Sequence, residues 1–161
     1  MQKAPVPNDE KDRLEALHKI AILDTKPEQR FDFITEEAVK RLKVPISTIS
    51  ILDKDREWFK SCVGLKEKEG DRSTSFCGHA LLADNIFVVS DTQKDKRFFD
   101  NPKVIGAPFI RFYAGVALRE YKTQQPIGVL CVKDIKPRVF TVEETAALIE
   151  LAEKAEKELN K

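Results

Sequence analysis

A chain of 161 residues with 42% hydrophobic side chains has the length of one globular domain with a single adequate core, which argues against a second folded domain. Its 28 Lys and Arg against 27 Asp and Glu give a formal charge of +1, scattered along the chain, so no electrostatic footprint for nucleic acid or anionic lipid is visible. No apolar run approaches the roughly 18 residues that a membrane helix needs, residues 1–10 lack the apolar core of a signal peptide, and three cysteines in no paired spacing read as reduced thiols, which together predict a cytoplasmic protein.

Residues 1–7 are expected to be a flexible lead-in. Asn8 opens a first helix with Leu14, Leu17 and Ala21 at helical spacing, ended by Pro27. Thr25-Lys-Pro-Glu28 matches a capping box and predicts the start of a second helix there. Phe31, Ile34, Ala38 and Leu42 then form one buried stripe that Val44-Pro45 ends. The β-branched run from Ile46 to Leu52, a turn at Asp53 to Asp55 and a second run from Trp58 to Val63 predict a hairpin. Gly64 to Arg72 is charged and irregular, and a short helical segment holds Phe76 to Ala83. Ile86 to Ser90 reads as a strand leading into a long connection, in which Asn101-Pro102 predicts a helix start and Gly106 its stop. Ile110 to Arg119 and Ile127 to Lys133 are the strongest strand candidates, joined antiparallel by a polar turn around Lys122 to Gln125. Thr141-Val-Glu-Glu144 is another capping box, opening a last helix with Leu148, Ala152, Ala155 and Leu159 at spacings of four, three and four. Helices at both ends with antiparallel strands between them imply an α+β fold, one face of the sheet under the terminal helices and the other under irregular connections.

Cys77 and His79 are close in sequence but lie about 200° apart around a helix capped by Ser75, so they cannot converge on one atom as nucleophile and base or as metal ligands. Cys77, near a helix start, gains some thiolate character if it is accessible; as a small buried thiol it is simply core. His18 stands among Leu17, Lys19 and Ile20, and two histidines with no paired cysteine spacing supply no metal site. Cys131 falls in an apolar strand, and Cys62 has no evident role.

The segments Arg72-Ser-Thr-Ser-Phe-Cys-Gly-His-Ala-Leu-Leu82, Arg111-Phe-Tyr-Ala-Gly115 and Pro126-Ile-Gly-Val-Leu-Cys-Val132 together resemble the GAF family of sensory domains, in its bacterial signalling form. The resemblance runs in order from Asn8 to about Leu159, through Leu14 to Leu23, Phe31-Asp-Phe-Ile34, Val44-Pro-Ile46 and Trp58-Phe-Lys-Ser61, and implies a single domain over residues 8–161. It further implies a central antiparallel sheet with the terminal helices on one face and a pocket under loops and short helices on the other.

By the same resemblance, Thr74, Ser75, Cys77, His79, Asp91, Phe98, Phe99, Asn101, Arg111 and Tyr113 fall where the family arranges residues around a ligand. Aromatic walls with a few polar groups suit a small organic molecule, and Arg111 opposite the Ser75 helix start suits an anionic or carbonyl group. The alternative is a filled core, with Phe98, Phe99 and Phe112 occupying the space and Arg111 paired to Asp91 or Asp100. The asparagine-lysine-phenylalanine-aspartate-glutamate signature of cyclic-nucleotide-binding members is absent, and so is the Cys-His dipeptide that attaches a linear tetrapyrrole. The cofactor is left unknown by these motifs. Cys62, Cys77 and Cys131 lie on three different elements, unlike the cysteines of members that reduce free methionine sulfoxide.

The leading expectation is a non-catalytic sensor that relays occupancy by an unidentified small molecule through its terminal helices, as a homodimer or with a signalling partner protein. The last helix, through Leu148, Ala152, Ala155 and Leu159, is the expected dimer seam. Two alternatives stand beside it: a thiol enzyme of the free methionine sulfoxide reductase type using Cys77, and a dimerisation module without a ligand. The sequence contains no kinase, cyclase or DNA-binding pattern, and it is compatible both with a whole protein and with a piece of a longer signalling protein.

Overall fold

A computed structural model describes residues 1–161. In chain order the elements are α1 (Glu10–Ile20), α2 (Gln29–Leu42), β1 (Ile46–Leu52), β2 (Arg56–Val63), β3 (Glu69–Asp71), α3 (Phe76–Ala80), β4 (Ile86–Val89), α4 (Pro102–Ile105), β5 (Phe112–Arg119), β6 (Pro126–Asp134) and α5 (Val142–Leu159). The strands form one sheet in the order β3-β2-β1-β6-β5-β4, antiparallel at every pairing. Short polar turns join β1 to β2 and β5 to β6 as hairpins, which parallel strands cannot use. The short edge strand β3, which the charged composition of Gly64 to Arg72 conceals, pairs with β2 through Glu57↔Gly70 and Trp58↔Glu69.

Alternating residues of the central strands divide the interior in two. On one face Ile49, Ile51, Trp58, Phe112, Leu130 and Val132 pack with Phe31, Ile34 and Ala38 of α2 and Leu148, Leu151 and Ala155 of α5. On the other face Ile46, Leu52, Tyr113, Val129 and Cys131 pack with Phe76, Cys77 and Ala80 of α3, with Phe98, and with Val104 of α4. The first core is mostly aliphatic and closed by long helices, as α+β layering requires; the second is built from short pieces and is richer in aromatic rings.

Local signals set some helix boundaries and tertiary contacts override others. Thr141 Oγ1 accepts from Glu144 N at 3.1 Å and Glu144 Oε1 accepts from Thr141 N at 3.1 Å, so the α5 capping box forms as expected. The Thr25 to Glu28 box does not form. Thr25 Oγ1 donates instead to Ile22 O at 2.6 Å and accepts from Lys60 Nζ at 2.8 Å, while the Glu28 carboxylate pairs with Lys60 at 2.8 Å and Arg30 at 2.9 Å. The reason is the buried ammonium of Lys60, which leaves water only if several acceptors converge on it. Ala21 leaves the expected stripe of α1 as well, taking the left-handed C-cap position with φ 56°.

The last helix is not an open seam. Leu148, Ala152, Ala155 and Leu159 are all buried within the single chain, because α5 turns this row onto β5, β6 and α2, and none of the four is left to meet a second copy. Within residues 1–7, Met1, Gln2 and Ala4 make contacts with the rest of the chain. Gln2 N donates to Arg97 O at 3.0 Å and Ala4 N to Ser73 O at 2.9 Å, the terminal amine meets Asp100, and Ala4 is buried against Gly78, where an added Cβ would lie 2.5 Å from Ala4 Cβ.

Candidate functional site

The short α3 and α4 are fixed by side-chain caps. Ser75 Oγ accepts from Gly78 N at 2.9 Å and donates to Arg72 O at 2.7 Å. Asn101 Oδ1 accepts from Lys103 N at 2.9 Å, and Asn101 Nδ2 donates to Thr74 O at 2.9 Å. One buried amide therefore starts α4 and ties it to the approach of α3, satisfying amides that such short helices leave free.

Against this frame the aromatic rings fill much of the expected pocket. Phe76 stacks on Phe98 with ring centres 4.4 Å apart and on Tyr113 at 5.3 Å, and His79 meets Phe98 edge-on at 4.7 Å. Phe98 is core, Phe99 is exposed, and Phe112 lies on the opposite, helical face of the sheet, 5.4 Å from Phe140. His79 Nε2 lies 3.2 Å from Gln2 O, and burial, reinforced by the nearby Arg97 charge, pushes its pKa down against the effect of that hydrogen bond. Arg111 Nη2 reaches Asp91 at 3.2 and 3.4 Å while Asp91 also caps the 3-10 turn Thr92–Lys94. Neither residue is in the lining of the cavity beside these rings.

Beside the rings a cavity of about 70 Å³ opens between β2, β3, the start of α3 and the end of β6. Phe59, Leu65, Phe76 and Ile110 form its apolar walls, and Glu67, Glu69, Asp71, Thr74 and Lys103 surround it, with Glu57 and Lys133 also in its lining. Glu57 is 5% exposed and Lys133 is 7% exposed. Glu57 Oε2 is buried with no hydrogen-bond partner. No carboxylate oxygen lies within 4.0 Å of the Lys133 ammonium, which sits 6.0 Å from the centre of the Tyr113 ring. Burial acts to neutralise Lys133, but the negative field of Cys131 and Glu57 outweighs it and raises its pKa, keeping the cation. Of the ten residues predicted from sequence, Thr74 and Ser75 line this cavity and the other eight lie outside its lining. Glu57 and Lys133 went unnoticed. The available signal was a lysine at the end of the Ile127 to Lys133 run, on the face shared with Val129 and Cys131.

The thiols form a separate buried chain. Tyr113 Oη donates to Cys77 Sγ at 3.1 Å and Cys77 Sγ to Ser50 Oγ at 3.6 Å. Thr48 Oγ1 lies 2.7 Å from Ser50 Oγ and 3.1 Å from Cys131 Sγ. Although they lie on different elements, Cys77 and Cys131 interact. Burial pushes Cys77 well up; burial acts the same way on Cys131, but the neighbouring Cys77 thiol and the Lys133 charge outweigh it and lower its pKa. Both thiols are fully enclosed, and burial raises the half-buried Cys62 too. No group of three or more His, Cys, Asp or Glu side chains is arranged to hold a metal ion, and no helix is long and apolar enough to cross a membrane.

Comparison with known proteins agrees with this fold. A curated cyclic di-GMP phosphodiesterase of Pseudomonas aeruginosa is 38% identical over 150 residues, which is 93% of this chain and 25% of that protein. The chain thus spans about a quarter of that relative's length. Among solved structures, the GAF domain of a phosphoenolpyruvate-protein phosphotransferase from Coxiella burnetii superposes with a TM-score of 0.66 at 16% identity, covering 92% of this chain and 94% of that one. A free methionine-R-sulfoxide reductase from Neisseria meningitidis, solved with its substrate, gives 0.65 at 17% identity over 99% and 95% of the two chains. At such identities these two structures show a shared fold alone. The GAF domain family model matches residues 26–159, across all six strands and four of the five helices, and the chain belongs to the GAF domain family.

Proposed function

We propose that this domain is a non-catalytic regulatory module: a small molecule occupies the cavity between β2, β3, α3 and β6, and the terminal helices pass its occupancy to an activity carried elsewhere, in the same protein or in a partner. The observation that carries this reading is the cavity itself, where Glu57 Oε2 is buried without a hydrogen-bond partner and the Lys133 ammonium has no carboxylate within 4.0 Å. A core under no functional demand normally pairs such groups or replaces them with apolar ones.

A path to the helices follows from alternation along the strands. Lys133 belongs to the cavity face while its neighbour Val132 packs in the helical core. Tyr113 stands one residue into β5, whose far end is clasped by α5: Arg119 N donates to Glu156 Oε2 at 2.8 Å, and Asn160 Nδ2 to Arg119 O at 2.9 Å. A ligand that shifts β5 therefore acts on α5 and its C-cap through hydrogen bonds between the β5 backbone and the side chains of Glu156 and Asn160. That the similar region of a relative forms a quarter of a cyclic di-GMP phosphodiesterase supports a second-messenger enzyme as the kind of output.

The test is a thermal-shift screen of the purified domain against metabolite classes, run beside Gly70→Phe. Gly70 pairs with Glu57 and lines the cavity, and an added Cβ there meets nothing within 4 Å, so the new ring plugs the mouth without disturbing the fold. A ligand at one hundred times its dissociation constant adds about 2.7 kcal/mol. A shift in the native domain that Gly70→Phe loses supports the reading; equal shifts in both place binding elsewhere.

A thiol-enzyme reading draws on the contact of Tyr113 with Cys77 and on the likeness to a reductase. It requires a nucleophilic thiolate in reach of substrate, whereas Cys77 is enclosed and pushed up. Turnover of free methionine sulfoxide that disappears in Cys77→Ser would favour it over the sensor.

A further inference from the structure

The chemistry of the cavity narrows the ligand. A carboxylate and an ammonium in one lining, each more than nine-tenths buried and neither within ion-pairing distance of the other, demand a guest that satisfies both. A purely anionic guest leaves Glu57 unanswered and adds repulsion from Glu67, Glu69 and Asp71, which surround the same space. A purely cationic guest leaves Lys133 unanswered. A buried charge left unpaired costs several kcal/mol, and a guest bearing both charges removes both penalties together. Size adds a second limit. A cavity of about 70 Å³ holds on the order of five water-sized groups at ~10–15 Å³ each, far short of a cyclic dinucleotide.

Resting on the reading that this cavity is the ligand site, we propose that the domain binds a compact zwitterion of amino-acid size, its amine on the Glu57 carboxylate and its carboxylate on the Lys133 ammonium. Phe59, Leu65, Phe76 and Ile110 receive whatever small side chain the guest carries, which favours the smallest amino acids, such as glycine, alanine and serine. Selectivity against plain organic acids and amines is then electrostatic, since each satisfies one buried charge and leaves the other exposed to its desolvation cost.

The experiment is calorimetric titration of the domain with L-alanine, propionate and ethylamine, using the native chain, Glu57→Gln, Lys133→Met and Gly70→Phe. The expected order is L-alanine ahead of propionate and ethylamine by about tenfold or more, the equivalent of one charged hydrogen bond. Glu57→Gln should erase the advantage of L-alanine over propionate, and Lys133→Met its advantage over ethylamine. Should either variant fail to fold, Gly70→Phe must still abolish L-alanine binding. If the metabolite screen finds a cavity ligand that Gly70→Phe blocks, but L-alanine, glycine and serine give no heat, the zwitterion assignment is overturned and the sensor reading survives. If L-alanine binds equally well to Gly70→Phe, the assignment of this cavity is overturned as well.

Discussion

Arg111 and Asp91 hold each other, with Arg111 Nη2 3.2 Å from one carboxylate oxygen of Asp91 and 3.4 Å from the other. From sequence, Arg111 is the natural anchor for an anionic ligand, because it begins a strand beside aromatic residues. In the fold its charge is answered by Asp91, which also accepts from Gln93 N at 3.1 Å, so the pair clips the start of β5 to the 3-10 turn after β4. Arg111 is 27% exposed at its side chain, and partly exposed pairs are worth about 0–1 kcal/mol. Arg111→Ala should accordingly lower folding stability by no more than about 1 kcal/mol in urea titration and leave ligand affinity within about twofold. A large loss of affinity with unchanged stability would return Arg111 to the binding site.

The row Leu148, Ala152, Ala155 and Leu159 predicts a second outcome. Because it is buried inside one chain, Leu148→Ala should cost about 2–5 kcal/mol of unfolding free energy through cavity formation, with a melting temperature independent of protein concentration. A variant that keeps its monomer stability but loses a dimer in sedimentation would mean that the helix leaves the sheet.

Gly115 faces a neighbour two residues back on its own strand. An added Cβ there runs into the Tyr113 hydroxyl and comes within 2.9 Å of Tyr113 Cζ, and the ring cannot retreat because Phe76 stacks on it and Cys77 accepts from it. Gly115→Ala should therefore destabilise by about 1–3 kcal/mol, the usual cost of overpacking. The same substitution beside Tyr113→Ala should cost less than in the native background, and an additive double-mutant cycle would refute the steric coupling.

His79 gives a pH signature. Its folded pKa is depressed by burial first and then by Arg97, so the unfolded chain binds the proton more readily. The contribution of His79 is complete above the unfolded value of about 6.5 and is lost as pH falls from there toward the depressed folded value. Urea midpoints should decline between pH 7 and pH 5 in the native chain and decline less in His79→Gln. The lowered carboxylates, such as Glu28 at about 2, act below that window, where their stabilisation is lost as pH falls toward the folded values. Identical pH slopes in both proteins would remove His79 from the ledger.

Much of the architecture was legible because it rests on local rules. The alternation in β5 and β6, the short polar turns, and the caps at Ser75, Asn101 and Thr141 each act within a few residues, and all five expected strands form. What was hidden depends on residues distant in sequence. Thr25 fails as a cap because Lys60, 35 positions away, takes its hydroxyl; β3 exists because Glu57 and Trp58 offer it an edge; and Gln2 and Ala4 dock because Arg97 and Ser73 present carbonyls to them. Of the residues that the family resemblance implies, Thr74 and Ser75 line the cavity. The resemblance missed Glu57 and Lys133, since a charged residue in a strand reads as solvent-facing until both faces of that strand are known to be covered.

Native mass spectrometry of the domain isolated from its own cells, native chain beside Gly70→Phe, tests most directly whether the cavity between β2, β3, α3 and β6 holds a small molecule. The native chain should carry a bound mass of amino-acid size that the Gly70→Phe chain lacks. The same bound mass on both chains, or none on either together with no thermal shift by any metabolite class, would contradict it.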